Sequence, residues 1–117
     1  SFVCMITVVN RRVYNGPHKF YIGRGSPLGN DYSHKEDTSA LYVVKTVEES
    51  VSCYEMDLRQ KIKDKDPKVC NELNRLYKYY KIHNELNLAC YCKWKGHEPC
   101  HGDVLKKILE EVCNVTT

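Results

Sequence analysis

Leu86-Asn87-Leu88-Ala89-Cys90-Tyr91-Cys92-Lys93-Trp94-Lys95-Gly96-His97-Glu98-Pro99-Cys100-His101-Gly102-Asp103-Val104-Leu105 is the stretch from which the fold is read. Its opening apolar run predicts a buried strand over 86–90. A polar loop follows, and Pro99 to Asp103 then open an apolar-periodic helix. That helix is predicted from about Gly102 to Val112, with Val104, Leu105, Ile108, Leu109 and Val112 facing inward. A strand that feeds a helix in this way brings three thiols and a histidine to one end of a sheet. In α/β proteins ligands collect there, because helix N-termini offer unpaired N–H groups and a dipole that favours anions.

Working outward, Leu86 is preceded by two helical patterns. Val47, Val51, Tyr54, Leu58 and Ile62 recur on one face of a helix predicted from Thr46 to Ile62, and Thr46 with Glu49 has capping-box spacing. Asp66 and Pro67 begin a second helix, with Val69, Leu73, Leu76, Tyr77 and Tyr80 as its stripe and an end near His83-Asn84. Met5 to Val9 is β-branched and reads as a buried strand. Lys19 to Gly23 reads as a second strand, expected to pair with the first. Residues 31–40 are polar and read as a loop. Strands alternating with helices predict an α/β class: a small single-domain three-layer sandwich, residues 1–117, with a short, mostly parallel or mixed sheet. The alternative is a segregated α+β arrangement.

The 117 residues are 42% hydrophobic and 28% charged, which excludes a disordered chain. The formal charge of +3 is too small to mark a dedicated DNA binder on its own. No stretch is long and apolar enough to span a membrane, and Phe2 to Val9 is too short and interrupted for a signal peptide. Seven cysteines, an odd number, with several on predicted apolar helix faces, point to a reducing cytoplasm rather than a disulfide framework.

Three groups of residues bear on chemistry. Cys90, Cys92, Cys100 and His101 are a candidate zinc set by ligand type, with His97 as a substitute ligand and zinc as the cofactor. Cys90 and Cys92 would point to the same side of a strand. The adjacency of Cys100 and His101 is awkward for one metal. A competing reading makes Cys100, His101 and Asp103 catalytic: a helix start and a neighbouring histidine lower a thiol pKa, which predicts that Cys100 alkylates first while Cys53, Cys70 and Cys113 are protected by burial. A third has Cys90 and Cys100 packing as small hydrophobes, with His101 or Asp103 capping the helix. The second group is Arg24, Gly25, Ser26 and Asn30 in the glycine-rich run after Gly23. An arginine on such a loop suits a phosphate or carboxylate, and the spacing is not that of a P-loop. The third is Lys93, Trp94 and Lys95, a candidate base-stacking and phosphate-contacting segment; the alternative folds Trp94 over the strand edge.

In order along the chain, Val8-Val9-Asn10, Tyr21-Ile22-Gly23-Arg24, Ser26-Pro27-Leu28-Gly29-Asn30, Leu88 to Cys92 and Cys100 to Leu105 resemble the small phage and bacterial proteins grouped as Domain of Unknown Function 4326. Asp31 departs from that pattern, which has proline there, and the 31–45 stretch is long. The resemblance implies a phage or bacterial protein, in the host bacterial cytoplasm if phage-encoded, with both motifs in one site. It carries no established activity. The expected function is therefore an accessory protein acting on nucleic acid or a nucleotide, with DNA cleavage as the candidate reaction. In that scheme Arg24 holds a phosphate, His101 and Asp103 handle protons, and Lys93, Trp94 and Lys95 contact the strand. The alternatives are a non-enzymatic inhibitor or modulator of a host protein, and a zinc-stabilised structural module. None of these involves a membrane.

Overall fold

Leu86–Cys90 (β5) lies at the centre of a three-stranded parallel sheet, between Ile6–Asn10 (β1) and Lys19–Tyr21 (β2). The computed structural model describes residues 5–35, 40–91 and 98–116, the last four as backbone. Every residue of β5 is buried, as its near-continuous apolar run requires of a central parallel strand. Asn87, the polar exception, is satisfied: its amide nitrogen donates to Tyr14 Oη at 2.7 Å and to the Pro17 carbonyl at 2.9 Å.

The predicted pairing of the second strand with the first does not occur, because β5 sits between them. Parallel strands cannot be joined by a tight turn. Residues 11–18 instead cross the far side of β5, where Tyr14 and Pro17 meet Asn87. Register places Ile6, Val8, Phe20, Leu86, Leu88 and Cys90 on the opposite face, and that face takes the helices. The first connection steps across two strand positions on one face, and the long return to β5 steps back on the other. Both crossovers therefore share one hand, as right-handed β-crossovers demand.

The helices are Val47–Lys63 (α1), Pro67–His83 (α2) and His101–Thr116 (α3). Their ends follow local chemistry. The Thr46 hydroxyl accepts from the Glu49 N–H at 3.0 Å. The Asp66 carboxylate accepts from the Val69 N–H at 3.0 Å with Pro67 in the first turn, and Asn84 closes α2 in the left-handed region at φ 59°. Helix α2 packs Tyr79 edge-on against Phe20 at 4.7 Å. Helix α3 approaches so closely that a Cβ on Gly102 would stand 2.8 Å from Val8 Cγ1 and 3.0 Å from Ile22 Cδ1. Helix α1 packs on both other helices. Leu58, Leu76, Leu88 and Leu105 are among the buried side chains of this core, each contributing about 1.5–3 kcal/mol by burial.

The fold is thus α/β with a short parallel sheet, and the layer beyond the sheet is the 11–18 connection rather than a helix. Part of the predicted 31–40 loop is ordered. Tyr32–Ser33 (β3) pairs in parallel with Tyr42–Val43 (β4), and residues 36–39 lie outside the described residues. Tyr32 stacks on Tyr42 at 5.0 Å and donates its hydroxyl to Asp57 of α1 at 2.6 Å, a bond that pushes its pKa up to about 12. Among the described residues no helix is long and apolar enough to cross a membrane.

Candidate functional site

Because β1, β5 and β2 run parallel, the chain leaves all three at one edge of the sheet, the edge where open α/β sheets place ligands. Arg11 and Arg12 follow β1, Ile22 to Ser26 follow β2, and Tyr91 follows β5.

The glycine-rich run after β2 is a closed loop. The Ser26 hydroxyl donates to the Gly23 carbonyl at 2.7 Å, and the Gly29 N–H donates to the Ser26 carbonyl at 3.2 Å. Gly29 is pressed against the opposite strand of the loop: an added Cβ would lie 2.7 Å from the Gly23 oxygen and 2.8 Å from Arg24 Cα. Arg24 Nε donates to the Asn30 carbonyl at 3.0 Å. The Tyr21 hydroxyl donates to the Arg24 carbonyl at 2.8 Å. Asn30 is buried, with its amide nitrogen donating to Ser50 Oγ at 2.8 Å and its oxygen accepting from the Tyr32 N–H at 2.9 Å. The bond to Ser50 anchors the loop to α1.

His101 supports the same loop from beneath. It is 3% exposed, and its Nε2 lies 2.7 Å from the Ile22 carbonyl. A carbonyl only accepts, so Nε2 carries the proton and Nδ1 presents a lone pair. That lone pair lies 3.8 Å from Cys100 Sγ. Burial lowers the His101 pKa, and nearby Arg24 adds to the effect; the Ile22 carbonyl, Cys90 and Asp103 oppose it. The imidazole is accordingly neutral. Tyr54 of α1 meets its ring edge-on at 5.0 Å and donates its hydroxyl to the Leu28 carbonyl at 2.7 Å. Burial drives this phenol's pKa upward.

Cys100 Sγ accepts from the Gly102 N–H at 3.3 Å, and the Asp103 carboxylate accepts from the Cys100 N–H at 3.1 Å. Cys100 caps the helix through the second N–H rather than the third, and the return bond from Cys100 gives the exposed Asp103 a helix-capping role. The Cys90 and Cys100 thiols are 0% and 1% exposed, with sulfurs 3.0 Å apart. The expectation that Cys100 alkylates first is therefore reversed. Cys53 and Cys70 are only half-buried, so mild alkylation of the native protein should modify them before Cys90 or Cys100. Mass spectrometry of a time course checks the order. Among the described residues no group of three or more His, Cys, Asp or Glu side chains is arranged to hold a metal. Cys92 and His97 of the candidate zinc set, and Lys93, Trp94 and Lys95, lie outside the described residues.

The predicted site thus divides into two levels joined by the His101–Ile22 bond. Cys90, Cys100 and His101 are interior. Arg24, Gly25 and Ser26 line an open cleft of about 360 Å3, together with Pro27, Lys61 and Lys68. Two acids also border it: Asp31, and Asp66, whose carboxylate caps α2. Lys61 ends α1 and Lys68 begins α2, and sequence reasoning missed both because only the turn between the helices carries them to Arg24. Arg11, Arg12 and Tyr91 were also missed. Their signal was their position directly after β1 and β5, which becomes informative once the strands are known to be parallel neighbours.

Fold and site together define a small parallel α/β domain with a basic cleft beside the carboxyl edge of its sheet. The chain belongs to the family described as a domain of unknown function (DUF4326), whose model matches residues 9–111. Neither the curated proteins nor the solved structures compared with it include a match.

Proposed function

We propose that this domain binds a phosphate-bearing ligand, a nucleotide or nucleic acid, in the cleft beside the 23–30 loop, with Arg24 holding the phosphate. One observation carries this reading: the contrast among the arginines. Arg59 and Arg75 of the helices sit in ion pairs with Glu55, Glu111 and Glu72. Arg24 is positioned by a backbone carbonyl through Nε, and among the described residues no carboxylate pairs with it. Its two terminal nitrogens remain for the bidentate grip that suits a phosphate. Lys61 and Lys68 add charge across the cleft. Asp31 restrains how many negative charges the cleft accepts.

Binding is the function the geometry supports best. His101 spends its one proton on Ile22 inside the core, so its contribution is to hold the loop that carries Arg24. The test is calorimetric titration with a nucleoside monophosphate and with short DNA at low salt, alongside a gel assay for cleavage of single-stranded, duplex and abasic DNA. Loss of the charge-assisted bonds in Arg24→Ala should weaken binding about 10- to 100-fold, the equivalent of about 1.5–3 kcal/mol. Lys61→Ala, which leaves the loop untouched, should weaken it less. Absence of binding to every ligand would remove the proposal.

A further inference from the structure

Beyond Arg24 the same sheet edge carries a second set of cations that the cleft does not use. Arg11 lies over the Tyr21 ring at 4.7 Å and over the Tyr91 ring at 5.7 Å, and its Nη1 donates to the Tyr91 hydroxyl at 2.7 Å. Arg12 lies over Tyr91 at 5.2 Å, and Tyr91 meets Tyr21 edge-on at 5.9 Å. Tyr21 joins this stack to the cleft, since its hydroxyl bonds the Arg24 carbonyl. As with Arg24, no carboxylate among the described residues pairs with Arg11.

We infer that the ligand is a single-stranded polynucleotide, which runs along this edge with one phosphate at Arg24, another at Arg11, and an unpaired base stacked on the Arg12–Tyr91 platform. The inference rests on the phosphate reading of the cleft and extends it. Arg11 lies over the Tyr21 ring and Arg24 is reached from Tyr21 through its backbone carbonyl, so the edge offers two cations for two phosphates, whereas a mononucleotide offers one. Aromatic rings and guanidinium planes stack on any base, but only on one whose face is free. Tyr91 is 39% exposed, which leaves part of its surface for such a contact. Arg11 is held by rings and a phenol hydroxyl, so its charge is kept for the backbone of the strand.

Fluorescence anisotropy with labelled single-stranded DNA, single-stranded RNA and duplex DNA of equal length tests this, with a nucleoside monophosphate as competitor. Single strands should bind more tightly than duplex, and the monophosphate should compete weakly. Comparison of the two single strands reads which sugar is preferred. Tyr91→Ala should weaken single-strand binding about tenfold, while Tyr91→Phe, which keeps the ring and loses only the hydroxyl that holds Arg11, should weaken it less. Arg11→Ala should reduce the steepness of log K against log salt by about 0.7, one phosphate for a single strand. Circular dichroism of each variant verifies its fold. Duplex binding as tight as single-strand binding, or indifference to Tyr91→Ala and Arg11→Ala, overturns the inference. If Arg24→Ala still weakens monophosphate binding in that case, the cleft reading stands without it.

Discussion

His101→Ala should lower stability by about 3–5 kcal/mol, a larger loss than any surface substitution in this chain. The change empties a buried ring site beside Tyr54 and leaves the Ile22 carbonyl without its donor. The cavity and the orphaned acceptor each contribute. Urea unfolding monitored by tryptophan fluorescence or circular dichroism gives the number. The same residue sets a pH dependence. Its folded pKa lies below the ordinary value, so the unfolded chain takes up a proton that the native protein refuses. Above pH about 6.5 both states are neutral and nothing is lost; below it stability falls by about 1.4 kcal/mol per pH unit until the lowered folded pKa is reached. His101→Gln keeps an N–H donor and does not titrate. Its stability should therefore fall less steeply than the parent's between pH 6.5 and the acid range. Parallel curves for the two proteins would show that His101 is not held neutral.

Gly29→Ala should cost about 3 kcal/mol and weaken phosphate binding as far as Arg24→Ala does. The new methyl group would meet the Gly23 oxygen and Arg24 Cα, which are backbone atoms and cannot rotate away. The loop must open, and with it the Arg24–Asn30 bond that aims the guanidinium. Gly102→Ala makes an instructive comparison. There the obstacles are the side chains of Val8 and Ile22, which can yield, and alanine recovers about 1 kcal/mol of helix propensity. Its net cost should be smaller, and Arg24 should still bind. Melting curves and phosphate titration of both variants separate the two effects. Equal losses would mean that the loop tolerates opening.

What could be read from the sequence follows the range of the interactions involved. Helix starts were legible because Thr46 with Glu49 and Asp66 with Pro67 act within one turn. Strand 86–90 was legible because burial on both faces leaves an apolar run. Strand order was not, since neighbours in sequence pair by default and only tertiary structure inserts β5 between β1 and β2. The site shows the same division. Arg24 announced itself through the glycines around it. The cluster of Cys90, Cys100 and His101 was foreseen as a meeting of residues, but whether it faces solvent or core depends on how α3 docks. That docking turns on Gly102 meeting Val8 and Ile22, which no local pattern reveals. Lys61 and Lys68 become neighbours of Arg24 only when α1 and α2 pack beside the loop.

The central position of β5 has a consequence for how the chain reaches this structure during synthesis. β1 and β2 leave the ribosome early, yet neither pairs with the other; each finds its hydrogen bonds only on β5. Until residues 86–90 have emerged, these two strands have no ladder to join, and the helices have no sheet face to cover. Such long-range parallel pairing is slow and exposes strand edges meanwhile. A nascent chain halted before Leu86 would carry finished helix caps and an unfinished core, so a ribosome paused there holds a species suited to chaperone capture rather than a smaller working domain.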